Sequence, residues 1–212
     1  MNKQRMLRLM REHHLRVSPT ATLKAKRTPM GHQPKPTKPN EWWGGDMTQV
    51  LVEGCGWVSI VSVLDWYAKV IGGHSAGLQC RAQHWLVALD RAVSRQFPAG
   101  AHGQGLALMS ANGCQPTSVA FLKACSTLGI QQAFTSDNNP QGNADTERLM
   151  RTLTEECLWR KEWPCPLERM RALEDWITDD HAHDSHSALG YKPPRQFERH
   201  YHLSHGTQFT AA

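Results

Sequence analysis

The order in which strand-like and helix-like segments follow one another after residue 40 constrains this chain more than anything else in it. A β-rich run from Glu41 to Val52, a turn at Glu53-Gly54-Cys55-Gly56, a second run from Trp57 to Leu64 and a short third one ending at His74 read as a three-stranded meander. Only then does alternation begin. Ala82, Trp85, Leu86, Leu89 and Val93 recur at helical spacing within Arg81–Gln96 and stop at Pro98-Ala99-Gly100. Leu106–Ser110 reads as a buried strand, Thr117–Leu128 as a helix ended by Gly129, and Ile130–Phe134 as a fifth strand. A helix from about Asn143 to Arg160 follows, and Pro166 opens a last one through Leu167, Met170, Leu173 and Ile177. Short turns pair strands antiparallel, whereas helical crossovers return them parallel, so the expectation is a five-stranded mixed sheet with helices on its faces.

Ahead of that block the composition changes. Residues 2–15 carry Met6, Leu7, Met10 and Leu15 at loose amphipathic spacing, enough for one short helix, and from Ser18 to Asn40 the chain holds Pro19, Pro29, Pro34, Pro36 and Pro39 among Lys, Arg and Thr. That stretch is expected to be extended and cationic. The net charge of +5 hides an asymmetry: residues 1–40 carry ten Lys or Arg against one acid, Glu12, while the remaining 172 carry fourteen against eighteen. A basic arm ahead of a mildly acidic domain suits a polyanion, with Lys24, Lys26, Arg27, Lys35 and Lys38 as candidate phosphate contacts. The longest apolar run, WVSIVSVL, falls short of the roughly 18 to 20 residues that a membrane-spanning helix needs. The charged start, MNKQRMLRLMREHH, has no signal-peptide core, and the six cysteines include no CxxC pair. The expectation is a cytoplasmic, nucleoid-associated protein with no membrane partner.

The element order βββαβαβα is the topology of the ribonuclease H-like fold, in which carboxylates from the first strand, the end of the fourth strand and a later helix converge. Asp46, position 111 and Glu147 fall there. Phosphodiester cleavage by two metal ions requires oxygen ligands holding two Mg²⁺ about 3.5–4 Å apart. The segments WWGGDMTQV, SANGCQPTS and NNPQGNADTERLMRTLTEE go further. Together they closely resemble the second-frame transposases of bacterial insertion sequences, which share the retroviral-integrase catalytic core, and the resemblance covers essentially the whole chain. In that family the motif is Asp, Asp, then Glu after 35 intervening residues, and 35 residues separate position 111 from Glu147 here.

Carried over by position, the resemblance implies that Asp46 and Glu147 are the first and third catalytic ligands of Mg²⁺ or Mn²⁺, and that Asn112-Gly113 matches the Asn-Gly after the second. The second ligand is replaced by Ala111. The implied reaction is metal-assisted cleavage at the ends of a mobile element followed by attack of the 3′-hydroxyl on target DNA. An alanine offers no oxygen to a metal, so this copy is expected to be impaired; the alternative is a DNA-binding, regulatory or assembly protein derived from a transposase. The implied partners are double-stranded DNA, at element ends and target, and either further copies of the chain or the upstream-frame protein. Arg148 and Arg151 beside Glu147 are candidate backbone contacts. NKQRMLRLMREHHL looks like the end of the family's upstream helix-turn-helix region, and HSALGYKPPRQFER like the segment that closes the domain. The expected organisation is a helix-turn-helix remnant over 1–17, a basic linker over 18–40, the integrase core over 41–180 and an extended tail over 181–212.

Other chemistry-bearing residues receive plainer readings. Asp65 reads as a turn cap, Asp145 as a first-turn helix residue about 200° from Glu147, and Asp137 as an Asx-turn residue that is the one acid able to reach the vacated position. Glu147 and Arg151 could instead form an i,i+4 surface pair. His181, His183, Asp184 and His186 lack a complementary ligand group at zinc spacing. Gly103-Gln104-Gly105 reads as a turn, and Ser110 and Cys114 have no nearby base. The tryptophans Trp42, Trp43, Trp57, Trp66 and Trp85 read mostly as core, with Trp42-Trp43 able to stack on exposed bases.

Overall fold

Strand β3 (Gly56–Asp65) is buried at eight consecutive positions, which requires cover on both of its faces. The cover is visible in a computed structural model that describes Glu12, Pro29–Met30 and residues 33–135, 140–160, 163 and 165–206. Around β3 lie β2 (Trp42–Val52) and β4 (Ile71–Gly77), both antiparallel to it. After helix α1 (Ala82–Gln96), strand β5 (Ala107–Ser110) returns parallel to β2; after helix α2 (Val119–Thr127), β6 (Gln131–Thr135) returns parallel to β5. The five expected strands are therefore present in a mixed sheet. A sixth, β1 (Pro29–Met30), pairs parallel with β6 to give the order β1-β6-β5-β2-β3-β4. An extended Pro-rich segment is already in strand-like geometry, and proline is tolerated at a sheet edge because that is where its missing N–H matters least.

Alternation along the strands separates two cores. Val50, Val52, Val58, Ile60 and Leu64 face helices α3 (Ala144–Leu153) and α4 (Pro166–Ala182) in one cluster. Trp43, Val61, Val63 and Leu108 face α1 and α2 in the other. Helix α1 buries Trp85, Ala88, Leu89, Ala92 and Val93, the stripe expected of an amphipathic helix, and it sits so close to β4 that a side chain at Gly73 would run into the Ala88 carbonyl. The Ser118 hydroxyl accepts the Phe121 N–H (3.3 Å) and caps α2.

Three expectations are corrected. The helix expected over Asn143–Arg160 is regular only to Leu153 and continues as a π-helical turn over Thr154–Leu158. Residues 181–212 are not simply extended, because Pro194 opens helix α5 (Pro194–Ser204), whose Phe197 and Tyr201 pack on Tyr67 with ring centroids 5.5 and 5.4 Å away. Trp57, read as core, is 59% exposed near the end of the β2–β3 hairpin, opposite the equally exposed Leu51. The short N-terminal helix lies outside the described residues apart from Glu12, which is helical.

Candidate metal and nucleic-acid site

Asp46 stands in the middle of β2 on the face turned toward α3, as the burial of its even-numbered neighbours Gly44 and Val50 requires. The register sets what lies beside it. On one side β2 pairs with β5 up to Gly45 opposite Ser110, the residues that immediately precede Asp46 and Ala111. On the other side Asp46 is opposite Ser62 of β3, and Ser62 is opposite His74 of β4, so three polar side chains form a row across the sheet. Ser62 is fully buried, and neither its Oγ nor the His74 Nε2 has a hydrogen-bond partner among the described residues; Glu174 Oε1 lies 3.9 Å from that nitrogen. Burial, then the charges of Arg91 and Arg95, push the His74 imidazole down to about 4.

Glu147 lies in the first turn of α3, exposed, where the helix dipole favours a negative charge. The start of that helix is tied at three nearby positions to β2, to the turn after β3 and to the segment before β2. The Asn143 side-chain amide donates to the Gly45 carbonyl (3.3 Å), the residue just before Asp46. Asp145 accepts from Lys69 Nζ (2.8 Å) and from Gln33 Nε2 (2.7 Å). The Thr146 hydroxyl accepts the Trp66 indole N–H (2.8 Å), and both side chains are buried. Gly44 makes that last contact possible, since a Cβ there would overlap both Thr146 Oγ1 and Trp66 Nε1.

Asp46 feels the charge of Glu147. Burial pushes the Asp46 carboxyl up to about 6, the Glu147 charge adds to the rise, and a hydrogen bond from the Met47 N–H opposes it. Ala111, the exposed residue just after the end of β5, carries only a methyl group. The loop beyond it is pinned by the Asn112 side-chain amide, which donates to the Thr135 carbonyl (2.8 Å). Among the described residues, no group of three or more His, Cys, Asp or Glu side chains converges in a way that could hold a metal ion.

Of the candidate phosphate contacts, Lys35, Lys38, Arg148 and Arg151 are exposed, the last two on the same helix as Glu147, while Lys24, Lys26 and Arg27 lie outside the described residues, as does Asp137. None of the ion pairs among the described residues joins Glu147 to Arg151. Asp65 is a turn cap: Oδ1 accepts from the Tyr67 and Ala68 N–H groups (2.7 and 3.2 Å) and Oδ2 from Asn40 (2.7 Å). The three histidines of HAHDSH go to separate partners, His181 to the Ile71 N–H (2.8 Å), His183 to Asp179 (2.8 Å) and His186 to Asp180 (3.2 Å). Trp42 stacks on Trp66 (6.0 Å, 9°) and Trp43 is buried with its indole N–H on Asn40, so neither is presented to a base. Gly44, Trp66, Asn143 and Thr146 were not legible as site residues in the sequence, because a glycine, a tryptophan and two small polar residues up to about a hundred positions apart have no shared local pattern.

The chain resembles known proteins in sequence and in fold. Two models described as the integrase core domain match the chain, one over residues 36–140 and the other over 128–194. The transposase for insertion sequence element IS904 of Lactococcus lactis is 29% identical over 168 residues, covering 78% of this chain and 64% of that protein. The insertion element IS600 31 kDa protein of Shigella sonnei is 26% identical, covering 79% of this chain and 60% of its own length. The chain thus spans a little under two thirds of these curated relatives. Among solved structures, the catalytic core of HTLV-2 integrase in complex with magnesium aligns with a TM-score of 0.57 at 16% identity, over 77% of this chain and 99% of that one. The simian T-cell lymphotropic virus intasome, in complex with a PP2A regulatory subunit, aligns with a TM-score of 0.63 at 18% identity over 80% of this chain. At such identities these two likenesses speak for the fold, which is ribonuclease H-like.

Proposed function

For a chain that belongs to the integrase-core family of insertion-sequence transposases, we propose a role in DNA transposition in which the chain's own phosphodiester chemistry is impaired at position 111. The observation that supports this reading is the β2–β5 seam, whose last pair, Gly45 with Ser110, immediately precedes Asp46 and Ala111, together with the Glu147 charge acting on Asp46.

The donor set decides what could be held there. Asp46 and Glu147 suit one hard divalent cation, Mg²⁺ or Mn²⁺, whose remaining positions water can fill; a pair of cations needs a further carboxylate that Ala111 does not supply. A cation so held supplies Lewis-acid polarisation of a phosphodiester oxygen. Asp46 would bind it from the sheet and Glu147 from the helix. Arg148 and Arg151 on that helix, with Lys35 and Lys38 at its approach, would hold a DNA backbone across the site by charge rather than by reading bases.

The test compares the chain with its Ala111→Asp variant in cleavage and strand transfer on short DNA duplexes carrying the element's ends, with Mg²⁺ or Mn²⁺. The variant should be faster by about a thousandfold or more, since groups that act as a unit lose most of their rate when one is missing. Equal turnover of the two proteins would show that position 111 is not the missing ligand. Ala111 also favours a second reading, a chain that binds DNA or joins a mixed assembly without cutting. It expects salt-dependent DNA affinity that is the same in both proteins, with no metal-dependent cleavage by either.

A further inference from the structure

We propose that Thr146, held by the Trp66 indole, is a positioning residue that sets the Glu147 carboxylate relative to Asp46, with Asn143 acting alongside it. The inference rests on the reading of Asp46 and Glu147 as cation ligands. It concerns how those two ligands, on different elements, come to share one ion.

Asp46 is fixed by the strand ladder with β3, where it stands opposite Ser62, one residue beyond the last β2–β5 pair. Glu147 is not: it is exposed on the first turn of a helix, and its place depends on how α3 is turned and where α3 starts. Two buried hydrogen bonds constrain those two freedoms. Asn143, 2% exposed, reaches the Gly45 carbonyl, so the path from Asp46 to Glu147 runs through one peptide, one hydrogen bond and one turn of helix. Thr146, with no exposed surface, neighbours Glu147 in sequence and sets the rotation of the helix by receiving the Trp66 N–H. Trp66 is itself immobile. It is 2% exposed, it stacks on Trp42, and its backbone N–H donates to the Trp42 carbonyl (3.1 Å).

The arrangement has features of a constraint rather than of incidental packing. A buried indole N–H without an acceptor is costly, so the bond resists rotation of α3 in either direction. Gly44 leaves the space in which the two side chains meet, on the same face of β2 as Asp46 and two residues before it. Residues that orient a metal ligand without touching the metal commonly change affinity by about tenfold to a hundredfold when removed.

The experiment uses the full chain carrying Ala111→Asp, to restore the third carboxylate, and measures Mn²⁺ affinity by calorimetry in that background. Adding Thr146→Val, which keeps shape and removes the acceptor, should weaken Mn²⁺ binding by about tenfold, and Thr146→Ser should restore it. Trp66→Phe, which removes the donor, should weaken binding to the same extent as Thr146→Val, and it serves as the deciding variant if Thr146→Val does not fold. Unchanged Mn²⁺ affinity in the folded variant, with or without a lower melting temperature, overturns the positioning role and leaves the functional reading intact. Absence of Mn²⁺ binding by the Ala111→Asp chain itself overturns the functional reading, and this inference falls with it.

Discussion

Residue 111 separates what a position requires from what a side chain supplies. The parallel register of β2 and β5 ends at Gly45 and Ser110, one residue before Asp46 and position 111, whatever residue stands there, and alanine brings no oxygen. Gly44 is the converse case, a position at which the absence of a side chain is what the structure needs. A Cβ at residue 44 would overlap Thr146 Oγ1 and Trp66 Nε1, both buried and backed by packed neighbours. Gly44→Ala should therefore cost about 2 kcal/mol or more, as overpacking plus a lost buried hydrogen bond, read as a lower urea midpoint with an unchanged slope. An unchanged midpoint would mean that Trp66 and Thr146 yield at no cost. The proposal for Asp46, Glu147 and Ala111 can be formed from the sequence because spacing and flanking residues are linear properties; the clamp cannot, since Trp66 and Thr146 stand 80 residues apart.

Elements with strong periodicity matched their sequence signals to within a few residues. Helix α1 begins one residue after the expected Arg81 and ends at the expected Gln96, because its apolar stripe and the Pro-Ala-Gly stop act locally. Helix α2 has a weaker stripe and relies on its cap. Ser118→Ala should cost about 1 kcal/mol in chemical unfolding, and a Ser118→Asp control should retain most of the stability, since aspartate also accepts from the first-turn N–H groups. The same local logic misleads at the C-terminal end. Gly190-Tyr191-Lys192-Pro193-Pro194 resembles a breaker, yet Pro194 occupies the first turn of α5, where its missing N–H is no loss, and the partner of the helix's aromatic face, Tyr67, lies on a turn more than a hundred residues earlier.

For the molecule as a whole, docking α5 buries charge. Glu198, 6% exposed, has its carboxyl pushed up to about 7 by burial, with the Asp65 charge adding to the rise. A carboxyl with a raised folded pKa holds its proton more tightly in the folded chain, so it subtracts stability as pH climbs from about 4.5 to about 7. Glu198→Gln should be close to wild type in stability at pH 4.5 and more stable at pH 8 by up to about 3 kcal/mol in urea unfolding. A difference independent of pH would show that Glu198 does not ionise across this range. Buried His181 works in the other direction: its Nε2 accepts the Ile71 N–H, burial pushes its pKa down to about 4, and stability is lost as pH falls from 6.5 toward 4. The two sets oppose one another between pH 4.5 and 6.5, so the Glu198 substitution should also steepen the acid side of the wild-type profile.

The amino-acid sequence by itself determined the order of the elements after residue 40 and which positions carry or lack a carboxylate, because periodicity, capping and spacing are written along the chain. Tertiary structure alone decided that β2 and β5 pair parallel up to Gly45 and Ser110, that the start of α3 is held by Asn143 and Thr146, and that the segment after Pro193 is a docked helix. These depend on strand register and on single hydrogen bonds between distant segments, and their energies arise only once the two cores have brought the sheet and the helices together.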